Sequence, residues 1–123
     1  MYELKVITHF SAAHQLREFK GPCEDLHGHN YRVEVCVTTD ILDKAGIAID
    51  FAKLKGCVAQ ITDRLDHKFL NDLEPFTNQN PSSENIARYV ADGLPLLLEN
   101  PAVRVSSVTI WESEYSCATY YPC

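Results

Sequence analysis

The sequence predicts an α+β domain of order β-β-α-α-β-β, with a four-stranded antiparallel sheet. Three observations carry that prediction. Side chains alternate with a period of two near the N-terminus, over 2–11 and again over 31–39. Between Phe51 and Leu98 the apolar spacing lengthens to three and four, the signature of amphipathic helices. Over 103–121 it returns to two. Strands at both ends with helices between them place the helices against one antiparallel sheet. At 123 residues, 46% of them hydrophobic, the chain reads as a single domain over 1–123.

Each element has its own signal. In the first strand Tyr2, Leu4, Val6, Thr8 and Phe10 alternate with Glu3, Lys5, Ile7 and His9. Polar Gln15 to Leu26, with Gly21-Pro22, reads as a loop. The second strand sets Val33, Val35 and Val37 against Arg32, Glu34 and Cys36, with β-branched residues on one side. Asp50 caps a helix whose face is Phe51, Leu54, Val58, Ile61 and Leu65. Residues 68–81 form a connector punctuated by Pro75 and Pro81. A second helix starts at Ser82 or Ser83, carries Ile86, Tyr89, Val90 and Leu94, and is expected to kink or end early at Gly93 and Pro95. In the third strand the apolar side switches across Ser106-Ser107, which predicts a β-bulge. Tyr115 to Tyr121 alternates again and completes the sheet.

Composition narrows the functional classes. Lysine and arginine number 11 against 17 acidic residues, a formal net charge of −6, which disfavours nucleic acid and anionic membranes as partners. No apolar run approaches the roughly 20 residues of a membrane span, and the N-terminus lacks a signal-peptide pattern. Five cysteines cannot all pair within one molecule. Reduced thiols and a cytoplasmic location are expected.

The chemistry concentrates in few residues. His27-Gly28-His29 opens the second strand, where residues i and i+2 share a face. His14 closes the first strand, so antiparallel pairing brings it beside them. Three imidazoles with a fourth position open form the catalytic zinc pattern. Cys23, four residues before His27, fits two roles equally: a fourth ligand closing a structural site, or a base or nucleophile beside an open metal. Cys36, Cys57 and Cys117 read as small packing residues, and His9 as a packing or surface residue. Asp66-His67 follows the first helix, and a carboxylate beside an imidazole can fix its tautomer. Glu112 ends the third strand after Trp111.

Taken in order, Phe10-Ser11-Ala12-Ala13-His14, Cys23 through Asn30-Tyr31, Asp66-His67, Pro81-Ser82-Ser83-Glu84-Asn85 and Trp111-Glu112 resemble the 6-pyruvoyltetrahydropterin synthase / 6-carboxytetrahydropterin synthase family across essentially the whole sequence. The resemblance implies the tunnelling fold, in which three four-stranded sheets close into a barrel and two trimers stack into a homohexamer with active sites at subunit interfaces. It implies that His14, His27 and His29 hold Zn²⁺, that Cys23 is the catalytic base, and that Asp66-His67 complete the proton-transfer machinery. Glu112 resembles the carboxylate that grips the pterin ring through two hydrogen bonds. Ser83 and Glu84 resemble a further pterin-contacting stretch, with Ser82 in place of the more usual threonine.

The spacing Cys23-x-x-x-His27-Gly28-His29 is similar to the bacterial 6-carboxytetrahydropterin synthases of queuosine synthesis. The pyruvoyl-forming branch has two more residues there. The implied reaction converts 7,8-dihydroneopterin triphosphate to 6-carboxytetrahydropterin, acetaldehyde and triphosphate, without nicotinamide. Two alternatives stand beside it: the pyruvoyl-forming sister reaction, and a non-catalytic zinc-stabilised binding module. Arg17, Lys20 and Lys68 are the candidate triphosphate cations.

Overall fold

The computed structural model describes residues 1–17 and 25–123, so Cys23 and Lys20 lie outside the described residues. Strands β1 (Tyr2–His14) and β2 (His27–Thr39) form a long antiparallel hairpin. Helix α1 (Phe51–Thr62), a two-residue strand β3 (Lys68–Phe69), helix α2 (Ser83–Leu98), β4 (Arg104–Trp111) and β5 (Cys117–Tyr120) follow. The sheet order is β3-β1-β2-β4-β5. The expected α+β class and antiparallel hairpins are therefore present, but the sheet has five strands rather than four. The extra one pairs parallel to Ala12–Ala13 and is too short to show any periodicity in the sequence.

The period-two readings describe the sheet's two faces. Val6, Phe10, Ala12 and His14 of β1 are buried, while Lys5, Ile7 and His9 are exposed. The strand runs three residues beyond its expected end because Ala12, Ala13 and His14 pair with His29, Gly28 and His27. Pairing overrides the weak strand preference of two alanines. Phe10 stacks on Tyr31 with ring centroids 4.8 Å apart. The predicted bulge is present: Cys36 pairs with Ser107 and Val37 with Val105, leaving Ser106 extra. Its hydroxyl donates to the Cys36 carbonyl at 3.1 Å.

Both helix starts follow the sequence. Asp50 accepts from the Ala52 N–H at 3.0 Å, and Ser82 accepts from the Asn85 N–H at 3.2 Å. The expected interruption of the second helix does not occur, since α2 continues through Gly93 and Pro95 to Leu98. Pro95 falls in the last turn, so the one bond its missing N–H forfeits, to the Ala91 carbonyl, lies near the helix end and leaves the preceding turns intact. A Cβ at position 93 would sit 3.0 Å from Ile61 Cδ1, so the glycine serves close contact between the helices. The helix ends at Glu99, in the left-handed region at φ 52°.

Leu54, Val58 and Ile61 of α1 and Ile86, Val90 and Leu94 of α2 are buried with Val33, Val35, Val108 and Ile110 of the sheet. Burying each of these residues stabilises the fold by about 1.5–3 kcal/mol and gives the hairpin a rigid floor. Glu34, on the opposite sheet face, accepts from Trp111 Nε1 at 3.2 Å and pairs with Arg32 and Lys5. Cys36 and Cys57 are buried as expected, whereas Cys117 is exposed on edge strand β5 and has no packing role. Among the described residues no helix is long and apolar enough to cross a membrane.

Candidate metal centre and active site

Strand register assembles the three histidines. His14 and His27 are direct partners across the hairpin, and His29 lies two residues along on the same face. Their ligand atoms all lie within 4.8 Å of one another. The imidazoles meet edge to face, with centroids 4.5, 5.2 and 4.7 Å apart. His14 is wholly buried, and His27 and His29 are half-buried.

The hydrogen bonds reveal what this group is built to hold. His14 Nδ1 lies 2.7 Å from the Pro81 carbonyl, and His27 Nδ1 lies 2.7 Å from the Asp25 carbonyl. A carbonyl only accepts, so both Nδ1 atoms carry the proton. In the neutral rings both Nε2 atoms are then lone-pair acceptors, yet they face each other at 2.9 Å. Two lone pairs at that distance repel unless a cation lies beside both. Among the described residues His29 Nε2 is buried with no hydrogen-bond partner. Three inward lone pairs, two with tautomers set by outer carbonyls, fit a divalent metal of the zinc type. Burial is the main influence lowering the pKa of His14 and His29, which favours the neutral form of both rings. Tyr31 Oη lies 3.2 Å from His14 Nδ1 and buttresses the same ring.

Glu112, just past the end of β4, lies beside this cluster. Its Oε2 is 4.0 Å from His29 Nε2, and its Oε1 accepts from the buried Ser83 hydroxyl at 2.8 Å. Ser83 thus orients the carboxylate from the first turn of α2. Ser82 is occupied as the helix cap, and Glu84 is exposed beside it. Arg17 donates to the Phe76 and Gln79 carbonyls at 2.7 and 3.4 Å, so its guanidinium anchors the connector. Exposed Lys68 stands on the rim of a shallow depression of about 460 Å³ that also contains Ser11, Asn30, His29 and His67.

Asp66 and His67 do touch. His67 Nδ1 is 3.0 Å from Asp66 Oδ2, while Asp66 Oδ1 accepts from the Ser11 N–H at 2.9 Å. The Ser11 bond, followed by the His67 contact, holds the Asp66 carboxyl below its ordinary pKa. An ionised Asp66 accepts from Nδ1–H and leaves Nε2 of the exposed His67 ring free to take a proton. His67 also sits at φ 57°, left-handed backbone that a non-glycine residue adopts only when its surroundings hold it there. Its N–H donates to Ser11 O at 2.6 Å, which supplies that hold.

A depressed carboxylate pKa stabilises the fold above the unfolded value, and the benefit disappears as pH falls through the folded value. Asp66→Asn should therefore be less stable than the parent at pH 7 in denaturant titrations. The gap should shrink as pH falls below the ordinary carboxylate value of 3.8 and close as it passes through the lowered folded value. A gap that stays constant across that range would show that the charge of Asp66 contributes nothing.

The sequence did not signal the Pro81 and Asp25 carbonyls or Tyr31, since backbone acceptors carry no residue signature. Pro81 next to a helix cap was the only hint.

Three histidines that could hold a metal, beside an oriented carboxylate at the end of a hairpin backed by two helices, are set on a fold of the tunnelling class. The chain belongs to the 6-pyruvoyl tetrahydropterin synthase family, which it matches over residues 3–123. A 6-carboxy-5,6,7,8-tetrahydropterin synthase of Bacillus subtilis is 33% identical over 98% of this chain and 86% of its own length. A dihydroneopterin monophosphate aldolase of Pyrococcus furiosus is 35% identical over 84% and 82% of the two chains. The structure of a Caenorhabditis elegans 6-pyruvoyl tetrahydropterin synthase superposes with a TM-score of 0.89 at 31% identity, covering 99% of this chain and 96% of that one.

Proposed function

We propose that the protein is a zinc-dependent carbon–carbon lyase that converts 7,8-dihydroneopterin triphosphate and one water to 6-carboxy-5,6,7,8-tetrahydropterin, acetaldehyde and triphosphate, in queuosine synthesis in the cytoplasm. The observation that carries the pterin reading is the placement of Glu112 within 4.0 Å of the histidine group, with its second oxygen held by Ser83. An ionised carboxylate can accept from two adjacent ring donors, so Glu112 would fix the pterin and direct its side chain toward the histidines. Ser83 orients that carboxylate, and Glu84 flanks the pterin-contacting stretch.

His14, His27 and His29 would hold the zinc, whose Lewis acidity lowers the pKa of the hydroxyls on the substrate's side chain. Cys23, as thiolate, removes a proton from a carbon of that same substituent. His67, held by Asp66, relays a proton through its free Nε2. The ring takes up the reducing equivalents, so no nicotinamide is required. Triphosphate contacts would come from Lys68 and Lys20, because Arg17 is committed to main-chain carbonyls.

The product branch rests on the Cys23-to-His27 spacing and the Bacillus relative. A second reading, triphosphate elimination without carbon–carbon cleavage, is favoured by the likeness to the Caenorhabditis structure. Open sheet edges support assembly, in this reading as a hexamer, a dimer of trimers with interfacial active sites. Among the described residues β3 pairs with Ala12–Ala13 alone, and β5 is four residues long, leaving edges that a second copy can cover.

Incubating the purified protein with dihydroneopterin triphosphate tests the reading. Acetaldehyde, followed with coupled alcohol dehydrogenase, should appear in equal amount to 6-carboxytetrahydropterin. Light scattering of the same sample should give a hexamer of the 13.9 kDa subunit. Triphosphate release without acetaldehyde would move the protein to the pyruvoyl-forming branch, and an active monomer would remove the interfacial site.

A further inference from the structure

The Pro81 carbonyl, with Tyr31 Oη beside it, aims the His14 ring, and the backbone next to that carbonyl is held by residues with no part in the proposed chemistry. Beyond His14 the backbone leaves the sheet, yet its main-chain groups remain paired. Asn71 Oδ1 accepts from the Gln15 N–H at 2.9 Å, and its Nδ2 donates to Gln15 O at 2.7 Å. Asn80 treats Arg17 the same way, at 2.7 Å in both directions. A carboxamide presents a donor and an acceptor side by side, so each asparagine replaces one peptide of a neighbouring strand. Asn85 Nδ2 then donates to the Asn80 carbonyl at 2.8 Å, and Arg17 donates to Phe76 O at 2.7 Å. Asn80 is therefore gripped at its carboxamide and at its carbonyl. The next carbonyl along the backbone is that of Pro81, the partner of His14 Nδ1.

We propose that Asn80 is a positioning residue for the metal centre, setting the Pro81 carbonyl that holds the His14 tautomer. This rests on the metal reading of the three histidines. The proline ring fixes its own φ but leaves ψ, and hence the direction of its carbonyl, to the neighbours. Those neighbours are Asn80 on one side and the Ser82 cap on the other. Losing the Asn80 grip lets the carbonyl turn from Nδ1–H, and the Nε2 lone pair then loses its fixed aim. Outer partners of this kind are worth about 10- to 100-fold in metal affinity. Arg17 serves the same clamp.

The test is zinc affinity by chelator competition on the full-length protein, with the visible spectrum of the Co²⁺-substituted protein as a second readout. Asn80→Ala should bind about 10- to 100-fold more weakly and show an altered cobalt spectrum. Asn85→Ala keeps its main-chain bond to Ser82 Oγ, folds independently of the Asn80 carboxamide and should shift affinity in the same direction by less. Asp43→Ala is the control. Its carboxylate accepts from the Ala45 and Ile47 N–H groups at 2.8 and 3.0 Å, in a turn beyond the far end of β2. It should lower the melting temperature and leave affinity unchanged. Parental affinity in both asparagine variants, with melting temperatures lowered as in Asp43→Ala, would reduce the clamp to a structural tie and overturn the proposal. Should Asn80→Ala fail to fold, parental affinity in Asn85→Ala overturns it alone. Zinc retained by His14→Ala would overturn the metal reading itself, a different outcome from parental binding in the asparagine variants.

Discussion

His14→Ala, His27→Ala and His29→Ala should each lose metal and activity together, with zinc affinity falling by roughly 10²- to 10⁴-fold. The magnitude follows from about 10–16 kcal/mol for a complete zinc site, of which one ligand carries a quarter to a third. The three variants should nevertheless differ in stability. His14 is buried, and its removal leaves the Pro81 carbonyl without its partner, a loss of about 1–3 kcal/mol. His27→Ala removes one of two facing lone pairs and deletes only a bond to the exposed Asp25. In the metal-free protein His14→Ala should therefore melt lower than the parent, while His27→Ala should melt at the same temperature or higher. Metal analysis and thermal scans with and without chelator check both points. Stoichiometric zinc in all three variants would defeat the assignment, and equal melting temperatures would remove the tautomer argument.

Cys23→Ala should keep zinc and fold while turnover falls by about 10²- to 10⁴-fold, the share of a positioned general base. The three histidines already supply a full set of inward lone pairs, and two of their outer nitrogens are satisfied by carbonyls. A thiolate ligand is therefore unnecessary to hold the ion. Keeping the thiol off the metal also preserves a reactive base beside an open coordination position. Zinc content and single-turnover rate on one preparation decide the matter. If the variant loses its metal, Cys23 closes the coordination shell and the structural zinc module becomes the better description.

The legible part of this protein is the part governed by local periodicity and by pairing. The first two strands, both helix caps and the bulge at Ser106 follow from alternation, capping chemistry and a shift of apolar side. The meeting of His14 with His27 and His29 was also legible, because a hairpin's register must return the backbone to where it left. Gly93 and Pro95 misled, because propensity reads them as breakers. Gly93 makes room for Ile61, and Pro95 comes so late that the bond it forfeits affects only the helix end.

The sequence by itself determined the α+β order, the histidine triad and the neighbouring Asp66-His67 pair, which are matters of residue type and spacing, while Glu112 became a candidate through the family resemblance of its motif. Only the tertiary structure decided how they act. It brought Asp66 onto the Ser11 N–H and against His67, held His67 at positive φ, and set Glu112 between Ser83 and His29. It also drew Arg17, a candidate phosphate cation by charge alone, onto main-chain carbonyls of the connector. The physical reason is that hydrogen bonds between residues 55 to 67 positions apart leave no periodic trace. They depend on where the two-residue strand β3 and the connector dock, and that docking is fixed by packing and main-chain acceptors that any residue carries.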